Sequence, residues 1–437
     1  MASTYLERTV TTPDTNGNKI ATFSAWLKRG SLTEQVFYTS RSSDSNYFRF
    51  RFTSDQINVI SKTSGTNYFA TTSAVFRDTS SWYQVVVTFD TTQATEANRI
   101  RIYVNGVEQT KGASSYPSQD STLYMLASGQ PQRIGKESSD GFYDGLMTQV
   151  IYTEGYAYAA STFGSTNSVS GEWIPNADPT VTYGTNGFKL TFEDTAALGD
   201  DTSGNTNDFT VSGTGTPTLD CASNNFATLN PLDARQGATF SLGNMKVVTS
   251  SSNRNYVTPT QAFASGKWYM ECRFTAGASS GYVGFCDMSN LQMTGTSTLG
   301  DLPNEARVNN DGSYEKNNST TSGWAGSFTD NDILGLALDC DNNRFTLSKN
   351  GQWADGSGNY DEANPTAYIT YTTGNFMSFA FGEGAGGATA TIEINTGNAP
   401  YTISSGNADG AGYGSFEYAV PSGYYALCTK NLGAYGG

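Results

Sequence analysis

The chain has 437 residues, 37% hydrophobic and 13% aromatic, with 47 Gly and a formal net charge of −15. An acidic surface repels polyphosphate, which argues against nucleic acid as a partner. There is no histidine, which excludes Ser-His-Asp and Cys-His catalysis and every His-ligated metal site, and leaves carboxylate chemistry and calcium open.

The N-terminal stretch MASTYLERTVTTPDTNGNK has no apolar signal core, and the strongest apolar runs, such as YQVVVTF, are too short to span a bilayer. The expectation is a protein made in the cytoplasm, neither classically secreted nor inserted in a membrane. Short strands bounded by turn residues then follow, near Ile20–Arg29, Glu34–Ser40, Tyr47–Thr53, Gln56–Ser61, Ser81–Asp90, Asn98–Val104, Gln132–Lys136, Leu146–Tyr152 and Phe188–Phe192. Only Ala157–Gly164 has a briefly helical pattern. The densest basic spot is Arg49 and Arg51, on alternate positions of one strand.

The polar stretch Val211–Asp220 is the natural linker, which suggests domains at 1–212 and 213–437. The second half repeats the style with strands near Phe240–Val248, Lys267–Phe274, Gly281–Asp287, Ile333–Cys340, Arg344–Lys349, Met377–Phe381, Thr389–Ile394 and Tyr424–Cys428. The Gly/Asn/Ser-rich run Thr294–Thr321 is expected to be one long loop. Each half contains an alternating strand that ends in Asn-Gly, at 105–106 and 350–351, a dipeptide that reverses the chain tightly. The pattern is all-β, with two tandem sandwiches. Cys272, Cys286, Cys340 and Cys428 sit in apolar or alternating contexts and are expected to be buried reduced thiols.

The second half resembles the SPRY family through GKWYMECRF (Gly266–Phe274), YVGFCD (Tyr282–Asp287), DILGLALDCDNNRFTLSKNG (Asp332–Gly351) and VPSGYYALCTKNL (Val420–Leu432). That resemblance implies a β-sandwich that binds other proteins through loops and is not an enzyme. The first half resembles laminin-G-like and pentraxin-like jelly rolls of concanavalin-A-like architecture. It does so through ATFSAWLKRG (Ala21–Gly30), SWYQVVVTFD (Ser81–Asp90), RIYVNGV (Arg101–Val107), RIGK (Arg133–Lys136) and DGLMTQVIYTEG (Asp144–Gly155). The segment Gly187–Thr210 looks like the one that usually opens such domains but comes last here, implying a circularly permuted sandwich whose final strand returns beside the N-terminal one. ASTFGSTNSVSGEWIPN (Ala160–Asn176), YGTNGFKLTF (Tyr183–Phe192) and NNFATLNPLD (Asn224–Asp233) are similar to a virion protein type of marine bacteriophages. This implies a tail-fibre-like or other structural component of the virion, with other virion proteins and a host-surface glycan or protein as partners, in a homo-oligomer.

Two candidate sites follow. Asp200, Asp201, Asn205 and Asp208 are hard oxygen ligands clustered around a glycine, a set suited to calcium. Asp140, Asp144 and Glu154 form a second oxygen set. Tyr143, Tyr156, Tyr314, Trp324 and Trp353, with Tyr116, Phe142, Tyr158 and Phe328, fall in turn-like contexts, where aromatic faces stack on sugars or anchor interfaces. No alternating acidic triplet of the glycanase kind occurs, and Glu193-Asp194 are adjacent and so expected on opposite faces of a strand. The expected function is non-catalytic recognition or adhesion at the host surface. A capsid or tail decoration role is the alternative, and a polysaccharide depolymerase is a more distant one.

Overall fold

The computed structural model describes residues 4–137, 141–168, 171–232, 237–249, 256–290, 298–373, 376–384 and 388–436. The chain forms two compact units, Met1–Pro217 and Thr218–Gly437. Both are β-sandwiches.

In the first unit an eight-stranded sheet runs in the order Lys111–Ser115, Thr66–Thr72, Gln56–Thr63, Asn46–Thr53, Gln35–Ser43, Pro131–Ile134, Tyr5–Thr9, Thr210–Ser212. A six-stranded sheet runs Phe188–Leu190, Gly145–Glu154, Ile20–Arg29, Tyr83–Asp90, Ile100–Val104, Val107–Glu108. Alternation explains the core. Phe48, Phe50 and Phe52 face inward from one strand and meet Phe23, Leu27 and Phe89 of the other sheet, while the intervening Tyr47, Arg49 and Arg51 face out. The outer side of the six-stranded sheet is covered as well, because Val86 and Ile151 pack under Ala160 and Phe163. The expected helix at 157–164 is only a 3₁₀ turn, Ala160–Thr162, within that cover.

The late segment returns to both sheets. Phe188–Leu190 pairs antiparallel with Gly145–Glu154, and Thr210–Ser212 pairs with the N-terminal strand, Tyr5 opposite Ser212. A buried polar network locks this closure. Arg8 Nε donates to Gln132 Oε1 (2.7 Å) and Nη1 to Asn207 Oδ1 (2.9 Å). The carboxylate of Glu154 accepts the N–H groups of Asp14 (2.8 Å) and Asn186 (2.7 Å).

The second unit has a sheet whose path is Thr239–Ser241, Lys246–Val248, Thr391–Asn395, Lys267–Ala276, Ile333–Asp339, Arg344–Lys349, Gln352–Ala354, Tyr360–Glu362. Facing it is a sheet ordered Tyr256–Val257, Met377–Glu383, Gly281–Asp287, Ala306–Asn309, Tyr314–Lys316, Ser319–Thr321. Trp268, Met270, Cys272 and Phe274 fill the core against Val283, Phe285, Phe379 and Phe381. The alternate residues Tyr269 and Ala337 face the other way and are roofed by Phe416, Tyr424 and Ala426. The run expected as one loop, 294–321, contains three of these strands. Its Asn/Gly residues are the tight turns between strands of three or four residues, as at Asp311, whose carboxylate caps Ser313. All five cysteines are free, and Cys272, Cys286, Cys340 and Cys428 are buried.

The two Asn-Gly turns are the same device. Asn105 and Asn350 take positive φ (47° and 50°), as do Gly106 and Gly351 (80° and 83°). Asn105 Oδ1 accepts Gln84 N (2.8 Å), and Asn350 Oδ1 accepts Ile333 N (2.9 Å). In each case an aromatic ring from a later segment lies on the glycine. A Cβ at Gly106 would meet the Trp173 ring at 2.6 Å, and one at Gly351 the Tyr418 ring at 2.6 Å. Only glycine permits both the left-handed backbone and the covering ring.

Candidate functional site

The outward positions of the strand Asn46–Thr53 build a face that local sequence only hinted at. Tyr47 lies opposite Arg41 on one neighbouring strand and Lys62 on the other. Arg49 lies opposite Thr39, and Arg133 flanks Thr39 from the next strand over. Three cations sit over the Tyr47 ring: Arg49 (5.0 Å to the centroid), Arg41 (5.4 Å) and Lys62 (5.7 Å). Cations held this close to a ring face are attracted by its quadrupole.

At the centre stands one carboxylate. Glu137 accepts Arg49 Nη1 on both oxygens (2.7 and 2.8 Å) and Arg41 Nη1 on Oε1 (2.8 Å), while its backbone carbonyl accepts Arg133 Nη1 (3.1 Å). Around the rim Arg51 pairs with Glu34, Arg133 with Glu7 and Arg41 also with Asp44. Arg49 Nε and Thr39 Oγ1 are buried here without a hydrogen-bond partner among the described residues. Among the described residues five cations (Arg41, Arg49, Arg51, Lys62, Arg133) thus gather with four carboxylates (Glu7, Glu34, Asp44, Glu137), whereas the whole chain has 25 cations to 40 acids. This is a local excess of cations over the chain's average, and guanidinium groups flanking an aromatic ring suit a planar anionic group on a ring-bearing ligand.

Sequence reasoning had picked out Arg49 and Arg51 as alternate residues but assigned them no role. Arg41, Lys62, Arg133 and Glu137 come from elsewhere in the chain and reach the patch only through the strand register.

The expected aromatic site does not assemble. Tyr143, Trp324 and Trp353 are only 9%, 7% and 3% exposed and belong to the cores, which corrects their placement on surface loops. Tyr143 Oη donates to Lys28 O (2.9 Å), and burial pushes that phenol far above its ordinary range. Trp353 packs beside Tyr269, Trp324 stands edge-on to Tyr314, and Phe328 is wholly buried against Phe274. These rings are large, and edge loops fold inward to bury them. Tyr314 is half-buried in its strand, and Tyr156 is exposed and stacked on Tyr158. Tyr116 and Phe142 are half-buried beneath Lys111 and Lys136.

The oxygen donors of the acidic turn are largely taken up by the chain itself. Asp201 is buried, and its two oxygens accept Lys189 N (2.8 Å), Ser203 N (2.9 Å), Ser203 Oγ (2.8 Å) and Asn207 N (2.9 Å). Asp208 Oδ1 accepts Asp201 N, and Asn205 donates to the carbonyls of Gly184 and Gly187. Asp200 instead lines a separate cleft with Glu193 and Asp194. Those two adjacent acids share that cleft because the strand ends at Leu190, so strand alternation does not separate them. Among the described residues no three acidic or cysteine side chains converge on a metal position. Of the second oxygen set, Asp140 lies outside the described residues. Asp144 and Glu154 stand at opposite ends of the strand Gly145–Glu154, about 30 Å apart at roughly 3.3 Å per residue. Burial raises the Glu154 carboxyl above its ordinary range, and the N–H groups of Asn186 and Asp14 oppose that shift.

Residues 4–154 match the family model of the concanavalin A-like lectin/glucanases superfamily. The match spans the arginine patch. Solved structures similar to this chain include the SPRY domain of human HERC1 (15% identity, 38% of this chain and 96% of that one, TM-score 0.30). Others are the heptameric SAP-like pentraxin of Limulus polyphemus (14%, 42% and 89%, TM-score 0.29) and domain 4 of the arabinanase AbnA of Geobacillus stearothermophilus, solved with arabinotriose (18%, 32% and 61%, TM-score 0.26). A comparison with curated proteins finds no match.

Proposed function

We propose that this chain is a non-catalytic virion protein that recognises the host surface by binding an acidic glycan on the arginine face of its first sandwich. The observation that carries this reading is the grip of Arg41 and Arg49 on the carboxylate of Glu137, directly beside the Tyr47 ring. A uronate or other acidic sugar offers the same pair of groups, a carboxylate and a ring face. The lectin/glucanase family match over residues 4–154 supports a saccharide ligand, and the SPRY-like motifs of the second half support a further binding role. The virion assignment rests on the phage-like motifs at 160–176, 183–192 and 224–233. Other virion subunits and further copies of the chain are the partners this implies, and several weak sites would act together. Glu154, Glu271 and Asp409 are buried and accept backbone N–H groups, which fits structural carboxylates more than acid–base catalysts.

The test is calorimetry of the full chain with polygalacturonate oligomers against neutral dextran at low and high salt. Binding to the acidic polymer alone, weakened by salt and lost in Arg49→Ala, is expected. Equal binding to both polymers, or full binding by Arg49→Ala, rejects the site. Detection of the protein by mass spectrometry in purified particles tests the virion placement separately.

A further inference from the structure

The second unit holds a shallow cavity of about 330 Å³, lined by Lys267, Asp341, Tyr425 and Tyr435 around the turn at Ser265–Gly266. Its floor is rigid. Gly266 has φ +83°, and a Cβ there would lie 2.5 Å from the carbonyl oxygen of Tyr435, so glycine is what lets the end of the helix Thr429–Tyr435 close against the turn. Gly266 N donates to Asp341 Oδ1 (2.7 Å), Cys340 N donates to Gly266 O (2.9 Å), and the Trp268 indole donates to Ser265 O (2.8 Å).

One wall is aromatic. The rings of Tyr425 and Tyr435 are parallel, with centroids 3.7 Å apart and planes within 6°. Tyr435 is nevertheless 40% exposed, because its partner covers one face only. The other wall is polar. Asp341 is exposed, and its Oδ2 has no hydrogen-bond partner among the described residues. The Lys267 ammonium is held 3.7 Å from the buried carboxylate of Asp339.

The geometry points to a binding site for a neutral pyranose unit, stacked on the Tyr425–Tyr435 pair with its hydroxyls on Asp341 and Lys267. Three alternatives fit less well on charge and solvation. An anion would meet Asp341, a cation would meet Lys267, and a purely apolar ligand would strip water from Asp341 with nothing in exchange. A sugar satisfies all of the walls: its C–H face takes the ring, one hydroxyl donates to the carboxylate, and another accepts from the ammonium. The volume lies at the low end of small-molecule sites, roughly 300–1,000 Å³, which suits one or two sugar rings. This site shares no residue with the arginine face and takes an uncharged ligand.

The experiment is saturation-transfer NMR on the full chain with methyl glycosides of glucose, galactose, mannose and rhamnose. At least one should receive saturation from the wild type. Tyr435→Ala should weaken it about tenfold or more, whereas Tyr435→Phe, which keeps the platform, should stay within about twofold. Asp341→Asn keeps an acceptor for Gly266 N but turns the free oxygen into a donor, and should weaken binding several-fold. Arg49→Ala should leave this signal unchanged even if it abolishes binding of acidic polymer, so the two sites fail independently. No transfer to the wild type from any of the four glycosides, or full transfer in a folded Tyr435→Ala, overturns the assignment.

Discussion

Replacing Glu137 by Gln separates stability from recognition. In the native face Glu137 accepts from Arg41 and Arg49 at 2.7–2.8 Å, and its side chain is largely shielded. Bonds to charged groups contribute roughly 1.5–3 kcal/mol and neutral ones roughly 0.5–1.5 kcal/mol, so neutralising the acceptor for two guanidinium groups should cost about 2 kcal/mol. In a unit of this size each kcal/mol lowers Tm by about 2–4 °C, giving an expected drop of about 4–8 °C by calorimetry. Binding should move the other way. On the proposed reading Glu137 occupies the position a ligand carboxylate would take, and removing its charge leaves the cations with one fewer acid to satisfy. Affinity for polygalacturonate oligomers should rise on the order of tenfold, about 1.4 kcal/mol. A Glu137→Gln variant that loses stability and gains no affinity would refute the idea that this carboxylate stands in for a ligand.

Cys221 is the one cysteine that is not buried, so a thiol reagent should label one site quickly in the native protein and the other four only after unfolding. Burial pushes the phenols of Tyr83 and Tyr183 up to about 12 and those of Tyr152 and Tyr269 still further. The folded state therefore holds these protons more tightly than the unfolded chain. Stability is full below pH 10 and falls as pH rises towards about 12. Absorbance at 295 nm should then show a late tyrosine step coincident with loss of circular dichroism; a complete titration near pH 10 with the dichroism intact would contradict it. Gly106→Ala and Gly351→Ala should each destabilise by about 2 kcal/mol or more, and Trp173→Ala should reduce the penalty of the former, as a double-mutant cycle would show. Calcium up to millimolar levels should leave Tm unchanged, and a rise of several degrees would restore the metal reading of Asp200–Asp208.

Much of the architecture was legible because alternation is a local signal. The Phe48, Phe50, Phe52 series and the Leu334, Leu336, Leu338 series declare their inward faces residue by residue, and each Asn-Gly declares its turn. The late segment's return was anticipated through resemblance, but with the wrong strand: Phe188–Leu190 pairs with Gly145–Glu154, and it is Thr210–Ser212, at the edge of the expected linker, that lies beside the N-terminal strand. The three short strands inside 294–321 were missed because elements of three or four residues between Asn/Gly turns carry too little periodicity to register. The site was less legible still. Tyr47, Arg49 and Arg51 are visible on one strand, but nothing local to 41, 62, 133 or 137 says that these residues meet. That information lies in the pairing register, where a slip of one residue would send the whole row to the core side. Exposure of aromatics was misjudged for a related reason: a turn-like context fixes the backbone at the surface and leaves the ring free to fold inward, as Trp353 and Tyr143 do.

The acidic turns show how one composition can support opposite chemistry. LGDDTSGNTNDF has the oxygen donors and the glycine of a cation loop, yet its central carboxylate is filled by the chain itself: three backbone N–H groups and a hydroxyl converge on Asp201. Glu271 repeats the arrangement in the other unit, accepting the N–H groups of Glu417 and Tyr418 with Asn395 and Tyr269 alongside. Burial raises the Glu271 carboxyl, and those donors pull it back. In a protein without histidine and with few cations, backbone amides are the abundant positive partners available to buried acids. Arginines serve buried acids as well, as Arg344 does for Asp339 and Arg273 for Glu393, but four of them, Arg41, Arg49, Arg51 and Arg133, meet on one outer face of the first sandwich, where a single carboxylate, Glu137, holds two of them.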